Sequence, residues 1–259
     1  MKGCVFILSV NYKNNKYTCK GGYYNEFDFV NKLNKKYVYQ LSEKYVDMLQ
    51  RIYNNKLKIN DYVLCWKSFK TDKADIVISI NNVRRYISIK SGKNNSVHLE
   101  PINDFICFLK DNKITDDLIK IYYNYHYACD EFDNRISAKV YQVNHLDEIM
   151  TLNRAFNKKR ILLKAINRFL FEGTYDYNNK VNGIIYGNID NFVYISYVEL
   201  VNYLLNEFED FGSIHFSLLT LQPWTRNLNF NERYEYRRDY VQVKLYRLEE
   251  LVEKILKKI

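Results

Sequence analysis

Apolar residues gather in two short runs that meet at a pair of asparagines. Residues 74–80 are mostly apolar, Asn81 and Asn82 follow, and residues 83–90 end with isoleucines that alternate with polar residues. Short β-branched runs joined by two turn-forming residues are typical of a β-hairpin. Because antiparallel strands return the chain to its starting point, we expect Asp75, before the first strand, to lie beside Lys90, at the end of the second.

A period of three to four residues predicts helices in several other segments. In residues 41–54 the apolar positions follow helical spacing, and Ser42 is a suitable N-cap. Pro101 suits a first helical turn. Helices are predicted at residues 24–36, 41–54, 101–110, 114–126, 147–171 and 248–259. The 147–171 segment carries a basic cluster, which we interpret as a solvated helix face: Arg154, Lys158, Lys159, Arg160, Lys164 and Arg168.

Alternating and β-branched segments predict the remaining strands. They are residues 1–20 (as a hairpin), 61–68, 135–143, 183–186 with 192–195 (a second hairpin), 214–221 and 239–246. Ser196 and Glu199 have the spacing of a capping box, which predicts a helix directly after the second hairpin. Strands and helices interleave without a repeat, so the sequence predicts an α/β chain of the mixed α+β class. No Pro- or Gly-rich hinge divides it, so we expect tightly packed regions.

Composition narrows the class of partner. The 259 residues carry a formal net charge of +9, which favours an acidic partner. Nucleic acid fits better than a membrane, because no apolar run approaches the roughly 18 residues that span a bilayer. The five cysteines are widely spaced and form no CxxC pair, which argues against a zinc site and for a reducing, cytoplasmic environment. The apolar run in residues 4–10 is interpreted as a strand rather than a signal peptide.

Asp75 beside Lys90 at a sheet edge suggests phosphodiester chemistry. A carboxylate is a good ligand for Mg²⁺. An ammonium group offsets the negative charge that develops on a phosphate under attack. The alternative is a surface ion pair, which contributes only about 0–1 kcal/mol to stability. The spacing alone leaves both interpretations open.

These residues and their order resemble the PD-(D/E)xK, or restriction-endonuclease-like, nucleases. In that family a helix carries a glutamate, a hairpin carries an aspartate, and a strand with (Asp/Glu)-x-Lys precedes another helix. Glu26, in the helix that begins near residue 24, matches the helix glutamate, while Asp75 and Lys90 match the metal-binding aspartate and catalytic lysine. The resemblance covers roughly the first half of the chain. It implies a restriction-endonuclease-like core, a central mixed sheet flanked by helices, with a C-terminal α+β extension.

One position departs from the family pattern. Ser88 stands where the family has its second carboxylate, and serine is a poor Mg²⁺ ligand. The resemblance implies that another carboxylate reaches the metal, with Glu26 the first candidate and Glu100 the second, and that the Ile89 carbonyl adds an oxygen. Glu26 and Glu100 are equally explained as charges that favour the start of a helix.

Two segments are candidates for contact with nucleic acid. The polar loop after Lys90 contains Asn94, Asn95 and Ser96, whose types suit phosphate binding and ordinary turns alike. His98 follows; it is either a surface histidine or a group that contacts the scissile phosphate or acts as a general base. The second segment interleaves arginine, asparagine and aromatic residues, which suits phosphate and base contacts. Its candidates are Trp224, Arg226, Asn227, Arg233, Tyr236, Arg237 and Arg238.

The resemblance implies an Mg²⁺-dependent endonuclease, with Mn²⁺ as a possible substitute, that cuts double-stranded DNA as type II restriction enzymes do. Residues 1–145 would form the catalytic core, and residues 146–259 would recognise nucleic acid or mediate dimerisation. A homodimer would suit a palindromic site. A non-catalytic DNA-binding module on a degenerate nuclease fold is the alternative that Ser88 favours. A structure-selective or RNA-directed nuclease is a further one.

Overall fold

Two β-sheets and the helices packed around them make up the fold. A computed structural model describes residues 19–69, 73–92, 95–130, 132, 134–174, 179–207, 212–223 and 232–257. The strands are β1 (Lys36–Tyr37), β2 (Tyr62–Lys67), β3 (Ile76–Ile80), β4 (Val83–Lys90), β5 (Asn95–Pro101), β6 (Gly183–Gly187), β7 (Phe192–Ser196), β8 (His215–Phe216), β9 (Leu219–Gln222) and β10 (Tyr240–Leu245). The α-helices are α1 (Cys19–Leu33), α2 (Glu43–Ile52), α3 (Ile102–Asp111), α4 (Asp116–Tyr127), α5 (Ala138–Asn144), α6 (Leu146–Phe156), α7 (Lys159–Ile166), α8 (Tyr197–Asn206) and α9 (Leu248–Leu256).

The first sheet is mixed and has six strands in the order β1-β2-β3-β4-β6-β7. Its pairs are antiparallel except β4 and β6, which run parallel with Ile87 opposite Gly183. The second sheet is antiparallel and has the order β5-β10-β9-β8. The mixed α+β class and the central mixed sheet flanked by helices are therefore confirmed.

The β3–β4 hairpin forms where the sequence predicts it. Ile80 pairs with Val83 and Ile76 with Ile87. Asn81 and Asn82 lie between them with φ of 51° and 63°. Asparagine tolerates this left-handed region better than most residues, and a two-residue turn of this kind matches the twist of the strands. The register therefore follows from the turn.

Each face of the first sheet packs against its own set of helices. One face, with Ile76, Ile78 and Ile87, is covered by α1 and α2 and forms the smaller core. The other face contributes Ile184 and Tyr186 to the larger core. Residues of the second sheet and helices α3–α9 complete that larger core.

The boundary expected at residue 145 does not separate the sheets. The first sheet takes β1–β4 from one side of that residue and β6–β7 from the other. The second sheet takes β5 from the first side and β8–β10 from the other. The two regions therefore share both sheets.

Several local predictions are wrong. Residues 135–143, predicted as a strand, contain α5, where the Ser137 side chain caps the helix by accepting from the Val140 N–H. The long helix predicted at 147–171 is interrupted, since Asn157 is the C-cap of α6. A six-residue π-helix, Asn167–Glu172, follows α7. Residues 214–221 form parts of two short strands rather than one.

Other predictions agree with the structure or fall outside it. The capping box is present: the Ser196 hydroxyl accepts from the Glu199 N–H, and the Glu199 carboxylate accepts from the Ser196 N–H. The hairpin expected near the N-terminus lies almost wholly in residues 1–18, outside the described residues. Among the helices of the described part of the chain, none is long and apolar enough to cross a membrane.

Candidate active site

Asp75 and the end of β4 meet at one end of the first sheet. The Asp75 N–H donates to the Ile87 carbonyl at 2.9 Å, which extends the β3–β4 ladder and sets Asp75 opposite Ser88. Three donors converge on Asp75 Oδ2: the Ser88 hydroxyl at 2.8 Å, the Ile89 N–H at 2.6 Å and Lys90 Nζ at 3.4 Å. The structure therefore brings together four of the predicted residues.

The alternation of β4 explains this convergence. Ser88 and Lys90 lie on one face of the strand, while Ile87 and Ile89 point into the smaller core on the other. Across the parallel pair, Lys90 stands beside Tyr186. The Lys90 and Asp75 side chains are 19% and 24% exposed, so they are sheltered but accessible. Among the described residues, none donates a hydrogen bond to Asp75 Oδ1.

Glu26 is held by a different partner. Its carboxylate forms an ion pair with Lys67 Nζ at 2.8 Å. Lys67 pairs with Ile76 and so lies on the sheet face covered by α1, opposite to the face that carries Ser88 and Lys90. The structure therefore brings Glu26 to Lys67 and records no contact between Glu26 and Asp75.

Glu100 is buried within β5 rather than placed at a helix start. It is 1% exposed. Arg168, from the π-helix, donates to it through Nε at 3.1 Å and Nη2 at 2.5 Å. Both bonds go to Glu100 Oε2, and the Thr174 hydroxyl lies 3.3 Å from the same oxygen. Glu100 stands two residues before α3 begins, and its carboxylate is paired with Arg168 from a distant segment.

His98 is likewise in β5 and buried, so the expectation of a polar surface loop is wrong. Its Nε2 lies 3.5 Å from Glu100 and 3.3 Å from the Thr174 hydroxyl. Burial lowers the pKa of His98 below its usual value, although the hydrogen bond to Glu100 opposes this. Burial would raise the pKa of Glu100, but the hydrogen bonds from His98 and Arg168 outweigh it and lower that pKa.

Sequence reasoning missed Lys73, which stands two residues before Asp75. Its Nζ donates to the Val97 carbonyl and lies 3.3 Å from His98 Nδ1. Burial, helped by the nearby charge of Lys90, lowers the pKa of Lys73 to about 7, while Asp75 and Glu100 act in the opposite direction. The only signal in the sequence was a lysine close to the candidate aspartate, in Lys73-Ala74-Asp75.

The phosphate-binding loop expected after Lys90 is in part a strand. Ser96 lies in β5, and its hydroxyl accepts from Gln242 Nε2 at 3.0 Å. The backbone of Asn95 begins the same strand. Asn94 lies outside the described residues. Of these three, Ser96 is the one for which the structure gives a side-chain contact, and that contact is internal.

The arginine-rich segment is described in part. Trp224, Arg226 and Asn227 lie outside the described residues. Arg233, Tyr236 and Arg237 belong to a 3₁₀ helix, Glu232–Arg237, that Arg238 follows.

The described arginines of this segment have different surroundings. Arg237 lies over the exposed ring of Tyr236, with 5.3 Å from the guanidinium carbon to the ring centroid. Arg238 instead bonds Glu235 at 3.1 Å and stacks over Tyr127. Arg233 lies 6.0 Å from the ring centroid of Tyr234.

The acidic residues do not gather into a large ligand set. Across the part of the chain that the structure describes, no three His, Cys, Asp or Glu side chains are placed to hold a metal ion together. Mg²⁺ in proteins is often bound through one or two carboxylates, with substrate phosphate and water completing its shell. The single carboxylate of Asp75 fits that smaller requirement.

Comparison with solved structures identifies a protein with a similar fold. The structure is similar to the crystal structure of the restriction endonuclease MspI in complex with its cognate DNA, with a TM-score of 0.51 over 78% of this chain and 77% of that one. The sequence identity is 11%, so the likeness concerns the fold. No protein-family model matches the chain. A comparison with curated proteins finds no match. The chain therefore has a fold similar to that of a restriction endonuclease, as the sequence predicts.

Proposed function

We propose that this chain is a metal-dependent endonuclease that hydrolyses phosphodiester bonds in double-stranded DNA, with its active site at Asp75, Ser88 and Lys90. The observation that carries the proposal is the contact of Asp75 with Ser88, Ile89 and Lys90 at one sheet end. The similarity of the fold to that of a DNA-bound restriction endonuclease supports it.

Each residue has a defined part in the proposed reaction. Ser88 and Ile89 fix the orientation of the Asp75 carboxylate by donating to Oδ2. Lys90 supplies an ammonium group that offsets charge on the phosphate as water attacks. The proposed cofactor is Mg²⁺, with Mn²⁺ as a substitute, held by Asp75 and the Ile89 carbonyl. When bound, the ion would withdraw charge from the phosphate. Glu26 would join this set only by leaving Lys67.

Double-stranded DNA is the proposed substrate, cut at a specific sequence. The net charge of +9 supports an anionic partner. Exposed Arg237 and Tyr236, and Arg233 beside them, are the described residues proposed to contact it. A homodimer, one active site for each strand, is proposed as the working assembly.

The test is incubation of the purified protein with plasmid and phage DNA in Mg²⁺, in Mn²⁺ and in EDTA. Discrete fragments in the metal ions alone support a site-specific endonuclease. An Asp75→Asn variant purified in parallel excludes a contaminating nuclease, because its preparation should cut nothing. Absence of cleavage in every condition would contradict the proposal.

A second candidate is a DNA-binding module without catalysis. It is favoured by the hydroxyl of Ser88 at the second ligand position and by the engagement of Glu26 and Glu100 with other residues. A gel-shift assay that shows DNA binding, together with no cleavage of linear DNA, branched DNA or RNA, would select this candidate. Cleavage of branched DNA or RNA alone would instead select a structure-selective or RNA-directed nuclease.

A further inference from the structure

A second lysine stands beside the proposed active site. Lys73 is half-buried and precedes Asp75 by two residues. Asp75 in turn contacts Lys90 Nζ at 3.4 Å. Lys73 therefore adds a second amino group to the end of the sheet where Lys90 already lies.

A chain of polar contacts fixes the position of Lys73. Its Nζ donates to the Val97 carbonyl and lies 3.3 Å from His98 Nδ1. The other ring nitrogen of His98 faces Glu100 at 3.5 Å, and Glu100 accepts two bonds from Arg168. Contacts therefore run from Arg168 through Glu100 and His98 to Lys73, and they join the π-helix and β5 to the segment before β3.

The backbone after the π-helix closes the other side of this position. A Cβ added at Gly173 would lie 3.9 Å from both Cβ and Cδ of Lys73. Thr174, the next residue, contacts both His98 and Glu100. The Lys73 side chain is therefore confined from two directions, which suits a group whose amine must be held in one place.

The balance of charge at this point favours an anion. Glu100 is neutralised by Arg168, and Asp75 is the carboxylate that contacts Lys90 and stands two residues from Lys73. Ser88 contributes a hydroxyl where a carboxylate would add a negative charge. Two amines against one carboxylate attract a phosphate group more readily than the same site with two carboxylates would.

We infer that Lys73 and Lys90 together bind one phosphate group of the nucleic acid, and that Arg168 and Glu100, acting through His98, hold Lys73 in place. The inference rests on the proposed function, since it takes nucleic acid as the ligand. Lys73 is the residue that contacts the substrate; His98, Glu100 and Arg168 are positioning residues.

The test measures DNA binding in EDTA, where cleavage plays no part. Affinity of wild-type protein for a fluorescein-labelled duplex is measured by anisotropy at pH 6, below the pKa of Lys73, over a series of salt concentrations. Lys73→Met should weaken binding and reduce the slope of log affinity against log salt by about one, because one phosphate contact is lost. Lys139→Met, at an exposed lysine on α5, is the matched control and should change neither quantity.

Two further variants separate contact from positioning. Lys73→Arg should recover most of the wild-type slope, because the charge is restored. His98→Leu removes the neighbour of Lys73 at a position that already packs against Phe169, so the variant is expected to fold. It should reproduce the Lys73→Met defect, and the double variant should show no additional loss. Melting curves of all variants confirm that they are folded.

The outcomes are distinct. A folded Lys73→Met variant with the wild-type slope would overturn the phosphate contact and leave the proposed function intact. Additive losses in the double variant would overturn the positioning role of His98. A wild-type protein that binds no duplex at any salt concentration would overturn the proposed function and this inference together.

Discussion

Asp75 and Ser88 lie directly opposite each other on neighbouring strands, and the Ser88 hydroxyl donates to Asp75 Oδ2 at 2.8 Å. With the Ile89 N–H and Lys90 on the same oxygen, one side of the carboxylate is fully engaged. Serine at this position therefore orients the aspartate rather than adding a second charge. Substitutions at the two residues should accordingly have different effects on cleavage and on metal binding.

Replacement of Asp75 by asparagine should reduce cleavage at least 100-fold while DNA binding in Ca²⁺ stays within about twofold, since removal of a catalytic charge typically costs this much or more. The substituted amide would keep the shape of the site but lose the negative charge. The measurement is a single-turnover cleavage rate beside an equilibrium binding curve. Asp47→Asn, at an exposed residue of α2, is the control. Parallel loss of binding and cleavage would show that Asp75 serves structure instead.

Replacement of Ser88 by aspartate should make stability depend on Mg²⁺. Ser88 is buried, so a second carboxylate would face Asp75 across the strands and repel it. We expect a lower melting temperature in EDTA and a recovery of several degrees in excess Mg²⁺, at about 2–4 °C per kcal/mol.

The control for this substitution is Ser88→Asn, which has a similar size but no charge. Because it keeps Asp75 and the Ile89 carbonyl and adds no charge, its melting temperature should respond to Mg²⁺ no more than that of the wild type. If both variants respond equally to the ion, the metal does not bind beside position 88.

The sequence predicts the site only where its geometry is local. The turn at Asn81 and Asn82 sets the register of β3 and β4, and that register alone places Asp75 against Ser88. Glu26 was correctly placed in a helix, but its partner Lys67 depends on how α1 packs against β2. A pattern of residues does not specify that packing.

Removal of the Arg168 guanidinium by Arg168→Met should cost about 3–5 kcal/mol of unfolding free energy. The loss would leave the fully buried Glu100 carboxylate without its charged partner. Urea unfolding monitored by circular dichroism measures the effect. Arg154→Met, on the exposed side of α6, should cost less than about 0.5 kcal/mol. Similar small losses in both variants would show that Glu100 is solvated.

Stability should fall between pH 6.5 and pH 4 because of His126. Burial lowers its pKa from the usual 6.5 to about 4. Its Nε2 meets the Arg238 carbonyl, and its Nδ1 has no hydrogen-bond partner among the described residues. In that window the unfolded chain binds a proton that the folded chain does not. The stabilisation that neutral His126 provides above pH 6.5, about 3 kcal/mol of unfolding free energy, is therefore lost as the pH falls to 4.

Urea unfolding at pH 7.5 and at pH 4.5 provides the measurement. A His126→Gln variant should lose less stability than wild type between these two values, because glutamine does not titrate. An identical loss in the variant would assign the pH dependence to other groups.

Replacement of Arg237 by alanine should weaken DNA binding and reduce its salt slope by about one, since its exposed guanidinium is proposed to meet a phosphate. Arg238→Ala should act differently, because Arg238 bonds Glu235 and stacks over Tyr127 within the protein. We expect it to lower the melting temperature and leave the slope unchanged. Anisotropy and thermal melts separate the two. Equal slopes for wild type and Arg237→Ala would remove this segment from the interface.

The residues that the sequence did not reveal depend on contacts across long separations. Arg168 belonged to a basic cluster interpreted as a solvated helix face, yet it enters the interior to meet Glu100. Lys73 can be recognised as a site residue only in the folded structure, where β5 places His98 beside it. Buried polar residues in β5 alternate with apolar ones as they would in a loop or an exposed strand, so composition does not distinguish these cases.

The parallel pairing of β4 with β6 affects how the chain folds during synthesis. Ser88 and Lys90 occupy a strand whose outer edge is completed only by Gly183–Gly187. Closing so long a loop slows folding, and until it closes the backbone groups of that edge have no partner. A nascent chain that has not reached Gly183 therefore presents an open strand to its neighbours. Expression of the first half alone should yield aggregates rather than a working fragment.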